Sequence, residues 1–287
     1  MTTTLERPAA PAGPTPRSPG ARALTWTGAI VGGLLLVSAG FSALDLLVMG
    51  SDDATTRSES ADYAAAPVVE LVADGQITVT TGGDRVEVER TATTALTRAH
   101  YSVDELADRL RVQYRCDWWR PGFCATSLDV TVPDGTSVII RARDGGVTAT
   151  GLSGPLDVHQ SDGESSVSDI DGDVSIRTSD GRTDVSDIRG SVYASSADGS
   201  ITVSDVSGSV TTRTSDGRTD ISEVQGDVDA MASDGDVTVY GTGEPVALDI
   251  STADGRQTVE GQVDPTSSTH VRIRTSDGSA AYLRPRG

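Results

Sequence analysis

The chain contains no lysine and no asparagine, and all 23 of its basic residues are arginine. Without lysine there is no phosphate-cradling P-loop and no amine for Schiff-base catalysis. Histidine is scarce: His100, His159 and His270 stand far apart and in no metal-ligand spacing, which excludes an HExxH-type zinc site. No GxSxG occurs, since Gly151-Leu-Ser-Gly154 lacks the spacing. Cations are outnumbered by 42 acidic residues, for a net charge of −19. Nucleic-acid binding by phosphate neutralisation is therefore excluded. No cofactor motif is present.

Long apolar runs are also few. One stretch, from Leu24 to Leu44, reads LTWTGAIVGGLLLVSAGFSAL and carries no charge over 21 residues. As a helix it would span roughly 30 Å, the thickness of a bilayer's hydrocarbon core. Apolar character continues past Asp45 through Leu46, Leu47, Val48 and Met49. Residues 1–24 carry net +2 and residues 51–287 carry −20. Arginine on the N-terminal flank places that end in the cytoplasm and the large remainder outside. The competing reading is a cleaved signal peptide, with Val37-Ser38-Ala39 or Phe41-Ser42-Ala43 as the cleavage site. The run continues beyond both sites, which favours an uncleaved single-pass anchor in the cell membrane.

The expected layout is a disordered cytoplasmic arm over 1–22, a transmembrane helix over 23–49 and a small polar stalk over 50–66. An N-terminal β segment over 67–143 and a repeat region over 144–287 follow. In the β segment, Ile77/Val79, Val86/Val88, Leu110/Val112/Tyr114 and Leu128/Val130/Val132 alternate as in half-buried strands.

Only two cysteines occur, Cys116 and Cys124, in CDWWRPGFC. Outside the membrane such a pair reads as a disulfide, and two thiols with no nearby histidine are too few for a metal. The loop holds two of the three tryptophans and one of the two phenylalanines. Trp118, Trp119 and Phe123 read either as a protruding contact patch or as a plug over an open end of the β domain.

The repeat dominates the rest. Asp-Gly recurs at 144, 162, 180, 198, 216 and 234, always 18 residues apart. A second glycine recurs at 154, 172, 190, 208 and 226. The apolar positions Val167, Ile170, Val174 and Ile176 reappear as Val185, Ile188, Val192 and Ala194, and in the next two units likewise. A fixed short period predicts stacked units, here an all-β parallel β-solenoid of about 18 residues per coil. Crossover connections favour the right-handed form. An antiparallel meander is the alternative, but it does not need strands of constant length. Later Asp-Gly pairs at 254 and 277 point to stretched final units.

Asp169, Asp187, Asp205 and Glu223 share one position and should repel unless backbone bonds, arginines or cations offset them. Asp169, Asp171 and Asp173 superficially resemble a calcium loop but lack its distal bidentate glutamate. A solvated acidic face is the expectation there. Acidic residues recur in step with the repeat, whereas a catalytic pair is needed once and should interrupt it. The expectation is a protein that is not an enzyme.

The opening VADGQITVTTGGDRVEVE, the cysteine loop, the step SLDVTVPDGTSVIIRARDGGVTATGLSGPLDV and the Asp-Gly coils resemble the bacterial "putative adhesin" family of β-strand-repeat proteins, a domain of unknown function. The resemblance covers roughly 67–285. It implies a β-solenoid at the cell envelope, often membrane-tethered, with no established catalytic residues to carry over. The expected role is binding to cell-wall polymer or an envelope protein. The alternative is an envelope-stress sensor or scaffold acting through a membrane protein partner.

Overall fold

A computed structural model describes residues 54–117 and 122–286. The arm over 1–22 and the helix expected over 23–49 lie outside them. The described residues are all-β and contain no helix.

The repeat dictates the central architecture. Strands β8 (Ser137–Ala142) and β10 (Leu156–Gln160) stack on a first face, and β9 (Val147–Thr150) and β11 (Glu164–Ile170) on a second. In β12 (Val174–Ile188), β13 (Val192–Val206) and β14 (Val210–Val224) one long strand covers both faces, bending at its Asp-Gly corner. All of these pair in parallel at an offset of 18, so Val167, Val185, Val203 and Ile221 are register partners in turn. Each is at most 2% exposed. Four such side chains per coil contribute roughly 1.5–3 kcal/mol each, whereas ordering 18 residues costs about 1–2 kcal/mol apiece. No coil holds itself; each is stable only on its neighbours.

Glycine recurs because the coils touch backbone to backbone. At the corner Gly181, with φ +120°, a Cβ would lie 1.8 Å from the Gly163 carbonyl oxygen. In the second column a Cβ on Gly190 would lie 2.3 Å from the Gly172 oxygen. Polar side chains line the corner from inside. Gln160 donates to the Gly145 and Asp162 carbonyls, and Ser196 donates to Ser179.

The acidic column has a backbone origin. Asp169, Asp187, Asp205 and Glu223 adopt φ between +53° and +57°. This left-handed residue interrupts the alternation, so inward side chains fall three apart, Val185 then Ile188, instead of two. Aspartate and asparagine tolerate that conformation best, and this chain has no asparagine.

The ends depart from chain order. Strands β2 (Val68–Ala73) and β3 (Gln76–Thr81) form a coil lying inside a later one, made of β6 (Arg109–Cys116) and β7 (Phe123–Val132). The same inner coil pairs on its other side with β8 and β9. Beyond β6 lies antiparallel β5 (Ala99–Glu105), and beyond β7 lie antiparallel β4 (Val86–Ala95) and then β1 (Thr55–Tyr63). Most of the segment expected as a stalk over 50–66 is therefore the edge strand β1. Its sequence TTRSESADY has no apolar alternation to announce a strand, because an edge strand with exposed faces needs none.

At the other end, β15 (Val228–Ala232) and β16 (Asp236–Tyr240) continue the stack. The chain then passes outward to β17 (Ala247–Thr252) and β18 (Gln257–Val259), and returns to insert β19 (His270–Thr275) and β20 (Ala280–Leu283) between the two. The Asp-Gly pairs at 254 and 277 are not stretched successive units. They are corners of coils stacked in reverse order: Gly278 packs on Gly235, and Gly255 on Gly278.

Candidate functional site

Alternation along each strand turns every second residue outward, so the repeat also stacks surface side chains. On the first face one outward column runs Arg141, His159, Arg177, Ser195, Arg213, Met231 and Arg274. Beside it runs a column of Ile139, Asp157, Ser175, Tyr193, Thr211, Asp229 and Arg272. Arginines bridge neighbouring coils through these columns. Asp157 meets Arg177 of the next coil at 3.2 Å and accepts a contact from His159 on its own strand at 3.2 Å, and Asp249 meets Arg274 at 3.0 Å and Arg272 at 3.4 Å. The Arg274 hydrogen bond holds the Asp249 carboxyl below the usual range, although residual desolvation opposes it. At the far end Glu70, only 5% exposed, gathers Arg109 and Arg141 at 3.1 Å and Arg111 at 3.7 Å.

Tyr193 interrupts this pattern. It is the lone aromatic among these outward positions, and the guanidinium carbons of Arg177 and Arg213, one coil to either side, lie 5.0 and 5.5 Å from its ring centre. Hydrogen bonding from Arg213 holds its phenol below the usual tyrosine range, against partial desolvation. Next to it lies a groove of about 400 Å³ lined by Asp157, Asp173, Ser175, Ser191, Tyr193 and Thr211. A cation-flanked aromatic ring beside hydroxyls and carboxylates can stack on an apolar ring face and bond polar groups around it.

On the second face, two outward columns are rich in hydroxyls, with Thr148 and Thr150, Ser166 and Ser168, Asp184 and Ser186, Thr202 and Ser204, and Asp220 and the more buried Ser222. A third, nearer the corner, runs Glu164, Arg182, Ser200, Arg218 and Asp236. Neighbouring hydroxyls couple along the column, as between Thr150 and Ser168 at 3.3 Å.

The sequence-predicted residues are placed as follows. Cys116 and Cys124 form a disulfide. It joins the end of β6 to the start of β7, so the bond itself stands where the other coils have their Asp-Gly corner. The Cys116 N–H donates to the carboxylate of Asp74, the corner aspartate of the adjacent coil, at 3.0 Å. Phe123 is half-buried and pairs with Ala95. Trp118 and Trp119 lie outside the described residues. Asp169, Asp171 and Asp173 serve separate purposes. Asp169 is the left-handed residue and sits 3.8 Å from Arg189. Asp171 is in the turn that follows, and Asp173 accepts the Ser191 N–H at 2.8 Å. Among the described residues no three acidic, histidine or cysteine side chains gather as a ligand set. Sequence reasoning missed Tyr193, although its signal was present: an aromatic in a column otherwise free of them.

Three solved structures align over 80% of this chain at low identity. A "putative adhesin" from Bacteroides fragilis is 12% identical, covered over 97% of its length, with a TM-score of 0.46. A "putative adhesin" from Parabacteroides merdae is 11% identical, covered over 96%, with a TM-score of 0.40. A "putative lipid binding protein" from Parabacteroides distasonis is 12% identical, covered over 97%, with a TM-score of 0.39. No curated protein matches. The family model of Toastrack DUF4097 matches residues 70–282, and the chain therefore belongs to the Toastrack DUF4097 family.

Proposed function

We propose that this chain is a non-catalytic binding or adhesion module of the bacterial cell envelope. It is held in the membrane by a single helix over residues 24–44, with its N-terminus in the cytoplasm and its β domain outside. The observation that carries this reading is the in-register stacking of surface residues. Arg141, His159, Arg177 and Arg213 share one column, and the serines and threonines of the second face share others. Coils about 4.8 Å apart bring recurring arginines and hydroxyls to regular spacings along a line, which suits many weak contacts with a repeating polymer. The disulfide favours an oxidising compartment.

The test is a binding screen of the full chain in detergent against cell-wall fractions, alongside pull-down from detergent extracts. Sedimentation with wall polymer, weakened at least tenfold by Tyr193→Ala, supports the reading. Failure to bind wall material together with stoichiometric recovery of a membrane protein overturns it in favour of a sensor or scaffold.

A further inference from the structure

The inward column Ile170, Ile188, Val206 and Val224 fills each coil beside the second glycine column, and it ends at Val224. One period on stands Thr242, which is exposed. The left-handed residue that turns this column inward also ends, at Glu223; Gly241, one period later, is not in that conformation. The chain instead leaves the stack after Tyr240 and passes outward to β17. The missing corner leaves a cavity of about 300 Å³. Val224, Val228, Val239, Val246 and Val271 line it, each at most 8% exposed. Its wall is pinned at Val246, whose N–H donates to the Gln262 carbonyl at 3.3 Å and whose carbonyl accepts the Asp264 N–H at 2.9 Å. One buried polar group stands at this apolar space. Tyr282 lines the cavity and is 1% exposed, and its hydroxyl has no hydrogen-bond partner among the described residues. The ring lies between two glycines. A Cβ on Gly261 would meet ring carbon Cε1 at 2.3 Å, and one on Gly241 would meet Oη at 2.5 Å. Gly241 lines the cavity and Gly261 does not, so the hydroxyl end of the ring is the end at the cavity. Burial raises this phenol above the usual tyrosine range, with no charge or hydrogen bond contributing.

We propose that this cavity binds a small neutral molecule, an apolar ring or branched chain bearing one carbonyl oxygen, which accepts a hydrogen bond from the Tyr282 hydroxyl. Size sets the body of the ligand. Small-molecule sites span roughly 300–1,000 Å³, and a dry cavity of about 150 Å³ takes one benzene ring, so this one takes a ring with a short substituent. Charge sets its polarity. No arginine or histidine lines the cavity, whereas Glu244 does, so a buried carboxylate or phosphate finds no counter-charge. The hydroxyl sets the functional group, because a phenol donates more readily than it accepts and this one, left unpaired, gains a partner only from a ligand acceptor. Access runs past Thr242 to Pro245, which line the cavity in part, are exposed and belong to no strand, so that portion of the wall can yield. The cavity shares no residue with the groove beside Tyr193 and does not depend on the role proposed for that groove.

The test uses the full chain in detergent with its valine methyls labelled for nuclear magnetic resonance. It is titrated with acetophenone, with the hydrocarbon isostere α-methylstyrene, and with benzoate. Acetophenone shifts the methyls of Val224, Val246 and Val271 and leaves those of Val167 and Val185 in place. α-Methylstyrene acts on the same methyls but binds about fivefold more weakly, the effect of one lost hydrogen bond. Benzoate does not bind. Tyr282→Phe makes acetophenone and α-methylstyrene equal, and its melting temperature does not fall, because the hydroxyl removed has no partner to lose. Val224→Ile, the residue its column carries at Ile170 and Ile188, intrudes on the cavity and weakens both probes alike. Cavity methyls that ignore acetophenone overturn the proposal, as do equal wild-type affinities for the two neutral probes, a preference that survives Tyr282→Phe, or binding of benzoate there. A Tyr282→Phe chain that melts lower also overturns it, since the hydroxyl then already has a partner.

Discussion

The two ends of the β domain solve the same problem differently. At the N-terminal end the last parallel coil, β6 with β7, is covered by antiparallel β5, β4 and β1. The Tyr63 hydroxyl of β1 and the Tyr101 hydroxyl of β5 meet at 2.8 Å, bridging the two faces. Tyr101 stands edge-on to Tyr114 and beneath the Arg90 guanidinium, which itself pairs with Glu59. As a result Leu128 and Val112, on the last parallel coil, are as buried as any residue at the centre. At the C-terminal end the equivalent positions Ile250 and Val259 face solvent in part. A parallel solenoid has no intrinsic stop: an end is closed by strands that leave the stacking rule, and among the described residues antiparallel strands do this at the N-terminal end, while at the other end only a single bridge, Val246 with Val263, lies beyond β17.

The largest expected difference between the ends is in core truncation. Leu128→Ala should cost about 3 kcal/mol, as for a fully buried leucine leaving a cavity. Ile250→Ala should cost roughly 1 kcal/mol, because part of its surface is already wet. Denaturant midpoints of the two variants measure this, and equal losses would erase the distinction between a closed and an open end.

Next comes the disulfide, which strengthens the closed end alone. Reduction releases a loop of sequence separation 8 and should lower stability by about 2–3 kcal/mol, seen as a reduced melting temperature. An unchanged melting curve would show that the loop contributes nothing to that closure.

Smaller again is Tyr101→Phe, which removes the hydroxyl bond between the faces and should cost about 1 kcal/mol. Hydrogen exchange should quicken in β5 and β1 while β17 and β18 are untouched.

The smallest effects are those of pH, and they differ in direction between the ends. Burial first, then the Tyr63 hydroxyl, holds the Tyr101 phenol protonated well above its usual range, although Arg90 opposes this. Burial raises Tyr114 as well. Unfolded tyrosines ionise near pH 10, so above that pH the unfolded chain loses protons first and stability falls as pH rises. Tyr282 near the open end is raised by burial too, so alkaline melting must be compared with that of Tyr101→Phe, which should lose less stability above about pH 10. Asp249 behaves in the opposite way. Its lowered pKa contributes stability above the unfolded value of about 3.9, lost as pH falls through the folded value. Acid should therefore speed exchange in β17 before β5, and the reverse order would contradict the Arg274–Asp249 pairing.

The central coils were legible because one rule repeats. The spacing of 18 put Val167, Val185, Val203 and Ile221 in line, and the structure pairs them so. The alternation at Leu110, Val112 and Tyr114 likewise marked buried positions of β6. The ends were not legible, for physical reasons. Periodicity reports which residues are equivalent, not the order in which coils stack. A coil inserted out of turn leaves no trace beyond irregular spacing, here 20 and 23 residues before the Asp-Gly pairs at 254 and 277. One clue did exist: Arg274-Thr-Ser-Asp-Gly278 repeats the RTSDG of the central coils, as suits a coil with neighbours on both sides. Strand β1 gave no signal because an exposed edge imposes no apolar pattern. The acidic column was visible as charge, while its cause, a left-handed backbone, was not. Tyr193 was legible in the same way, as the one aromatic in the sequence column Ser175, Tyr193, Thr211 and Asp229 that the 18-residue spacing sets.

The threading of both ends bears on how such a chain can lengthen over time. Copying the outermost unit would leave the duplicate without a slot, since the coil next to it in space is not next to it along the chain. Only the middle, where neighbours in sequence are neighbours in space, can accept another copy without disturbing either terminus. The near-identity of RTSDGRTDVSDI at 177–188 and RTSDGRTDISEV at 213–224 lies in that middle, as duplication from within would leave it.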